Sequence, residues 1–195
     1  QSMYENGAQA GDRVCFYMRN RSEYMEMLIA CFRGRLTHVN VNYRYVAEEI
    51  KYIFENSDAN VVVYAEEFRK TITAVQHQLP NVKQWIEIAD QSSTTMRTGY
   101  EVLAENSHGR WKPTKRSPSD QLFIYTGGTT GPPKAVMWDH HNLREALLLT
   151  ARAIGPVPEN IEEFKEKVFH DGPGEVMIPA CPLMHGTGLL TAINA

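Results

Sequence analysis

Apolar and polar positions along this chain fall into short blocks that change period repeatedly. Residues 12–18, Asp-Arg-Val-Cys-Phe-Tyr-Met, form an apolar run bounded by Gly11 and by Arg19-Asn20, which predicts a strand. The period then becomes helical. Ser22 is placed to cap a helix running to about Arg35, with Tyr24, Met27, Leu28, Cys31 and Phe32 on one face and Gly34 near its end. A short strand is predicted over 38–42 and a helix over 46–57, with Ile50, Ile53 and Phe54 inward. Residues 60–64, Asn-Val-Val-Val-Tyr, are almost continuously apolar, which suits a parallel strand covered on both faces. A helix over 66–79 and a strand over 84–88 follow.

The polar stretch 106–120, with two prolines, reads as a connecting loop between a first α/β segment (1–105) and a second (121–195). Beyond it the pattern predicts a strand over 121–125, a short strand over 135–138, a helix over 141–153, a charged helix over 159–167 and a last strand over 174–178. The apolar residues 189–195 read as a helix. Alternating strands and helices define the expected fold class: α/β, with a mainly parallel sheet flanked by helices.

Composition narrows the partners. The 195 residues carry a formal net charge of −3 without a basic block, which argues against nucleic acid. Arg110, Lys112, Lys115 and Arg116 cluster in the connecting loop and read as a solvated face. The three cysteines, Cys15, Cys31 and Cys181, are far apart and form no Cys-x-x-Cys pair, so free thiols in a reducing cytoplasm are expected. No apolar run is long enough to span a bilayer, and peripheral membrane contact stays open. The start carries no signal-peptide pattern, and both ends read as cut from a longer chain.

The chemistry concentrates in residues 125–138, YTGGTTGPPKAVMW. Gly127, Gly128 and Gly131 permit backbone angles that let successive N–H groups turn toward one anion. Thr126, Thr129 and Thr130 add hydroxyl donors, Lys134 adds a compact positive charge suited to phosphate, and Pro132-Pro133 stiffen the backbone before it. Donors of this kind contribute about 1.5–3 kcal/mol each against a charged acceptor. A plain glycine-rich hairpin with a surface lysine is the simpler reading. A Walker loop fails, because Pro133 precedes Lys134, Ala135 follows it, and a strand rather than a helix comes next. The adjacent pair His140-His141 has no third ligand at suitable spacing for a metal.

The segment from Tyr125 to Val136 resembles the phosphate-binding signature of the adenylate-forming superfamily: acyl-CoA synthetases, luciferases and peptide-synthetase adenylation domains. Residues 32–36, 39–45, 48–53 and 58–63 are similar to that superfamily's upstream block, and residues 181–188, Cys-Pro-Leu-Met-His-Gly-Thr-Gly, to its Pro-Leu-x-His-x-x-Gly block. The blocks come in family order, cover most of the chain from about Gly11, and lean toward bacterial fatty-acyl-CoA synthetases. Two positions depart. Gly127 stands where the family usually has Ser or Thr, and Ala135 replaces a usual Gly, which matters only if that backbone needs a positive φ.

The resemblance implies that ATP and a carboxylic acid, expected to be a fatty acid, form an acyl-adenylate, which the thiol of coenzyme A then attacks. Thr126, Gly127, Gly128, Thr129, Thr130, Gly131 and Lys134 would hold the β- and γ-phosphates, with Mg²⁺ bridging phosphate oxygens. His185 would lie beside the reacting carboxyl group, against the plainer reading of a histidine hydrogen-bonded at a helix start. Residues 1–195 would form the N-terminal portion of the family's large domain, unable to complete adenylation alone. Two other readings stay open. One is a non-catalytic nucleotide- or acyl-binding module, favoured by Gly127 and Ala135; the other is an adenylation domain that loads a carrier protein.

Overall fold

The structure is a computed structural model that describes residues 1–89, 99–105, 115–127, 131–172 and 177–194. Six strands, β1 (Arg13–Tyr17), β2 (Thr37–Asn40), β3 (Ala59–Ala65), β4 (Gln84–Ile88), β5 (Gln121–Thr126) and β6 (Lys134–Asp139), form one sheet in the order β4-β3-β1-β2-β5-β6. The first five strands run parallel, and β6 is antiparallel to β5 at the edge. The α/β class with a mainly parallel sheet is as expected. The helices are α1 (Ser2–Glu5), α2 (Ser22–Gly34), α3 (Ala47–Asn56), α4 (Arg69–Gln76), α5 (Tyr100–Glu105), α6 (His140–Ile154), α7 (Ile161–Asp171) and α8 (Gly186–Asn194).

Two-sided cover explains the continuous apolar strands. One face buries Val14, Phe16, Val61, Val63, Leu122 and Ile124 with Tyr24, Leu28 and Cys31 of α2 and Leu143 of α6. The other buries Cys15, Tyr17, Val39, Val62 and Tyr64 with Ile50, Ile53 and Phe54 of α3 and Ile72 and Val75 of α4. Each such aliphatic or aromatic side chain contributes about 1.5–3 kcal/mol when fully buried. Cys15 and Cys31 are buried and Cys181 is exposed; all three are free.

Several boundaries differ from expectation. Ser22 does not cap α2 but is its first residue, and Arg21 takes the cap position. The Ser22 hydroxyl donates instead to Glu23, whose carboxylate also receives a fork from Arg21 at 2.8 and 2.9 Å. The helix ends on Gly34, and the left-handed residue after it is Arg35, at φ 56°. Arg35 is held there by an ion pair to Asp120 at 3.0 Å, which also fastens α2 to the entry of β5. The helix expected from residue 66 starts as a 3-10 turn, Glu66–Phe68, and α4 ends at Gln76. In the segment 174–178, residues 177 and 178 are not in a strand and the rest lie outside the described residues. Of the basic cluster, Lys115 and Arg116 are exposed, while Arg110 and Lys112 lie outside the described residues. The charged segment does form α7, capped by the Asn160 side chain, and it points Phe164, Val168 and Phe169 outward.

His38 of β2 is fully buried against Phe16, with its Nε2 2.9 Å from the Tyr24 hydroxyl. Burial pushes its imidazole down to about 3, so the ring is neutral in the folded chain. Unfolding releases it to take a proton below its ordinary value near 6.5. The stability this adds is complete above pH 6.5 and declines as pH falls toward 3, by about 1.4 kcal/mol per pH unit for one proton. Denaturant unfolding across that window is expected to show this acid slope in the parent and a shallower one in His38→Gln. Equal slopes would show that His38 does not titrate on unfolding.

Candidate phosphate-binding hairpin and the His185 turn

The chemistry expected from the sequence gathers at the C-terminal edge of the parallel strands, where open α/β sheets bind ligands. β5 leaves the core there, with Ile124 and Tyr125 buried and Thr126 exposed. β6 returns antiparallel, and its register runs from Gln121↔Asp139 to Thr126↔Lys134. Thr126 and Lys134 therefore close the hairpin as directly opposed residues, whose side chains leave the same face. Both are exposed, and among the described residues nothing hydrogen-bonds or ion-pairs with the Lys134 ammonium. Gly128, Thr129 and Thr130 lie outside the described residues.

The backbone settles two questions about residue type. Gly131 sits at φ +84°, which favours glycine, with nothing among the described residues within 4 Å of an added Cβ. Gly127 has no such φ, and among the described residues nothing lies within 4 Å of an added Cβ. Ala135 pairs with Tyr125 within β6 and has no positive φ, so it does not distort the hairpin.

Helix α3 steadies both feet of the hairpin. The Tyr52 hydroxyl donates to the Pro133 carbonyl at 3.2 Å, and the Tyr125 hydroxyl donates to Asn56 Oδ1 at 2.7 Å. Tyr52 and Asn56 are one turn apart, hence on one helix face. Burial pushes the Tyr125 phenol up to about 12, so it stays protonated and able to donate.

His185 is exposed at the head of α8. Its N–H donates to the Pro182 carbonyl and its carbonyl accepts from the Leu189 N–H, both at 2.9 Å. It is thus an exposed turn residue at a helix start rather than a core histidine, and among the described residues nothing hydrogen-bonds to its ring. The residues before it are pinned from the ends of β1 and β2. Asn20 Oδ1 accepts the Leu183 N–H at 2.7 Å, the Asn20 amide donates to the Cys181 carbonyl at 3.5 Å, and Asn40 of β2 donates to the Met184 carbonyl. The Tyr43 N–H meets the Met184 sulfur at 3.3 Å, and the Tyr43 ring lies beneath the Arg19 and Arg44 guanidinium groups. Gly188 has a steric reason: an added Cβ would stand 2.4 Å from the Pro182 carbonyl oxygen and 2.6 Å from that of Cys181.

Asn40 also hydrogen-bonds to Tyr125, next to Thr126. Two hydrogen bonds and two peptide units then place the Thr126 and His185 Cα atoms within roughly 12 Å of each other. An open cleft of about 460 Å³ between β6, α6 and α8 is lined by Trp138, Leu143, Leu147, Thr187 and Leu190. Sequence reasoning missed Asn20, Asn40, Tyr52 and Asn56. The signal for Asn40 was a polar residue ending a strand of buried neighbours. The His140 ring meets the Phe32 ring edge to face, with centroids 4.6 Å apart.

The fold and edge define an α/β protein of the kind that binds ligands at strand ends. The family described as AMP-binding enzyme matches residues 1–195, and the chain belongs to it. Among relatives, it is 30% identical over 188 residues to a medium-chain acyl-CoA ligase of Mycobacterium avium, matching 94% of this chain and 34% of that protein. It is 33% identical over 191 residues to 3-oxocholest-4-en-26-oate–CoA ligase of Rhodococcus rhodochrous, matching 93% of this chain and 34% of that protein. A crystal structure of a long-chain-fatty-acid-CoA ligase from Archaeoglobus fulgidus superposes with a TM-score of 0.73 at 24% identity, covering 99% of this chain and 35% of that one. The chain thus spans about a third of the length of the curated relatives it matches.

Gly188→Ala is expected to destabilise the protein by about 1–3 kcal/mol, because the methyl meets backbone that cannot rotate away. Denaturant unfolding measures it; an unchanged midpoint would show that α8 does not approach residues 181–182 this closely.

Proposed function

We propose that this chain is the N-terminal portion of the large domain of an AMP-forming acyl-CoA ligase, and that it supplies the triphosphate grip and part of the acid site. The observation that carries the reading is the pairing of Thr126 with Lys134, which has no ion-pair partner among the described residues, at the mouth of a glycine-rich loop close to His185. An ammonium, a hydroxyl and loop amides are the donors a polyphosphate needs. Lys134 and Thr126, with Gly127, Gly128, Thr129, Thr130 and Gly131, would bind the β- and γ-phosphates. Mg²⁺, when bound, would add positive charge to the polyphosphate that Lys134 and Thr126 hold.

In the first step a carboxylate oxygen attacks the α-phosphorus of ATP, and pyrophosphate leaves. Charge builds on the departing oxygens, and Lys134 offsets it without moving. The main contribution is positioning, which places the acid's oxygen in line with the leaving group. His185, exposed at the turn, would stand by the carboxyl group. The apolar cleft at Trp138, Leu147 and Leu190 would take the hydrocarbon part, consistent with a fatty acid. In the second step the thiolate of coenzyme A attacks the acyl carbon, and AMP leaves. The relatives' names as acyl-CoA ligases support this acceptor over a carrier protein. Two free, buried cysteines suit a reducing cytoplasm, and no helix among the described residues is long and apolar enough to cross a membrane. The relatives' names as ligases support the catalytic reading over a non-catalytic binding module.

In the full-length protein, carboxylate-dependent ATP–pyrophosphate exchange is the test. Lys134→Met is expected to raise the KM for ATP by about tenfold to a hundredfold, the value of one charge-assisted contact. Gly127→Ser is expected to lower it by up to about tenfold, as the added hydroxyl reaches a phosphate. An unchanged KM in Lys134→Met would remove the phosphate role, and absence of exchange in the parent would remove the ligase reading.

A further inference from the structure

Asn40 is 3% exposed and is the last residue of β2. The main-chain ladder between β2 and β5 pairs His38 with Leu122 and Val39 with Phe123, and ends there. The Asn40 side chain takes over beyond that point. Its Oδ1 accepts the Tyr125 N–H at 2.5 Å, and its Nδ2 donates to the Tyr125 carbonyl at 3.3 Å. The same Nδ2 donates to the Met184 carbonyl. A buried amide persists only when its polar atoms are paired, and this one is paired to two separate segments. Tyr125 immediately precedes Thr126, and Met184 immediately precedes His185. The other ties are one-sided. Tyr52 and Asn56 hold the hairpin, and Asn20 holds the turn. Among the described residues, only Asn40 hydrogen-bonds to both.

We infer that Asn40 is a positioning residue that sets the separation between the phosphate hairpin and the His185 turn, so that one side chain assembles the two halves of the site. The residue type follows from the contacts. Asp keeps the acceptor and loses the donors, Ala loses both, and a longer amide does not fit between two backbone segments already at contact distance. This inference rests on the proposed ligase reading for what the two segments do together, but not for whether Asn40 joins them.

The test uses the full-length protein and two readouts. The first is amide hydrogen exchange, which needs no activity. Asn40→Ala is expected to speed exchange in peptides covering 121–127 and 182–189 while those covering β3 and β4 stay unchanged. Asn40→Asp, which keeps the oxygen facing the Tyr125 N–H but loses the donor to both carbonyls, is expected to speed 182–189 more than 121–127, and it decides the question if Asn40→Ala does not fold. Faster exchange in neither segment, or throughout the sheet, would overturn the inference. The second is pyrophosphate exchange. Asn40→Ala is expected to lower kcat about tenfold in the parent but less than about threefold in a His185→Ala background, since coupled residues are non-additive. Equal losses in both backgrounds would reduce Asn40 to a structural residue. A parent without pyrophosphate exchange would sink the ligase reading, and the hydrogen-exchange pattern would still decide the role of Asn40.

Discussion

Where Lys134 stands is decided by the antiparallel ladder between β5 and β6. Its six residue pairs run without a shift from Gln121↔Asp139 to Thr126↔Lys134. Side-chain direction alternates along a strand, so a slip of one residue would turn Lys134 to the opposite face and separate it from Thr126. Tyr52 on Pro133 and Asn40 on Tyr125 hold the two feet against such a slip. A phosphate site made of loop amides and one ammonium depends on that register more than on any single donor, because the donors converge only if the strands stay aligned.

The sheet supplies the rigidity behind the hairpin. β1, β2 and β3 are packed on both faces, with Val14, Val39, Val61 and Val62 fully buried. Their C-terminal ends deliver Asn20 and Asn40 to one edge, where the chain between residues 181 and 185 settles on them. Gly188 then lets α8 start directly against that segment. A charged, polar edge is thereby built on an apolar block, and Thr126, Lys134 and His185 are left exposed while Asn40, which ties their two segments together, is buried.

The α/β alternation was legible because its strands are continuous apolar runs and its longer helices carry a full stripe; Gln84–Ile88 falls where the pattern puts it. α1 and α5 were not legible, since four and six residues are too few to display a helical period. The Ser22 cap failed because the hydroxyl found Glu23, a competition that a one-dimensional pattern does not show. Lys134, Thr126 and His185 were readable from local motifs. Asn40 was not, because its partners lie 85 and 144 residues away and only the folded sheet brings them together. The side chains proposed to touch substrate were thus visible in the sequence, and those that position them were not.

The most direct measurement is a crystal structure of the full-length protein with a non-hydrolysable ATP analogue. The account predicts β- or γ-phosphate oxygens about 3 Å from Lys134 Nζ and Thr126 Oγ1, with the α-phosphate on the side facing His185. A nucleotide bound elsewhere, or a triphosphate in the hairpin with Lys134 turned away from it, would contradict it.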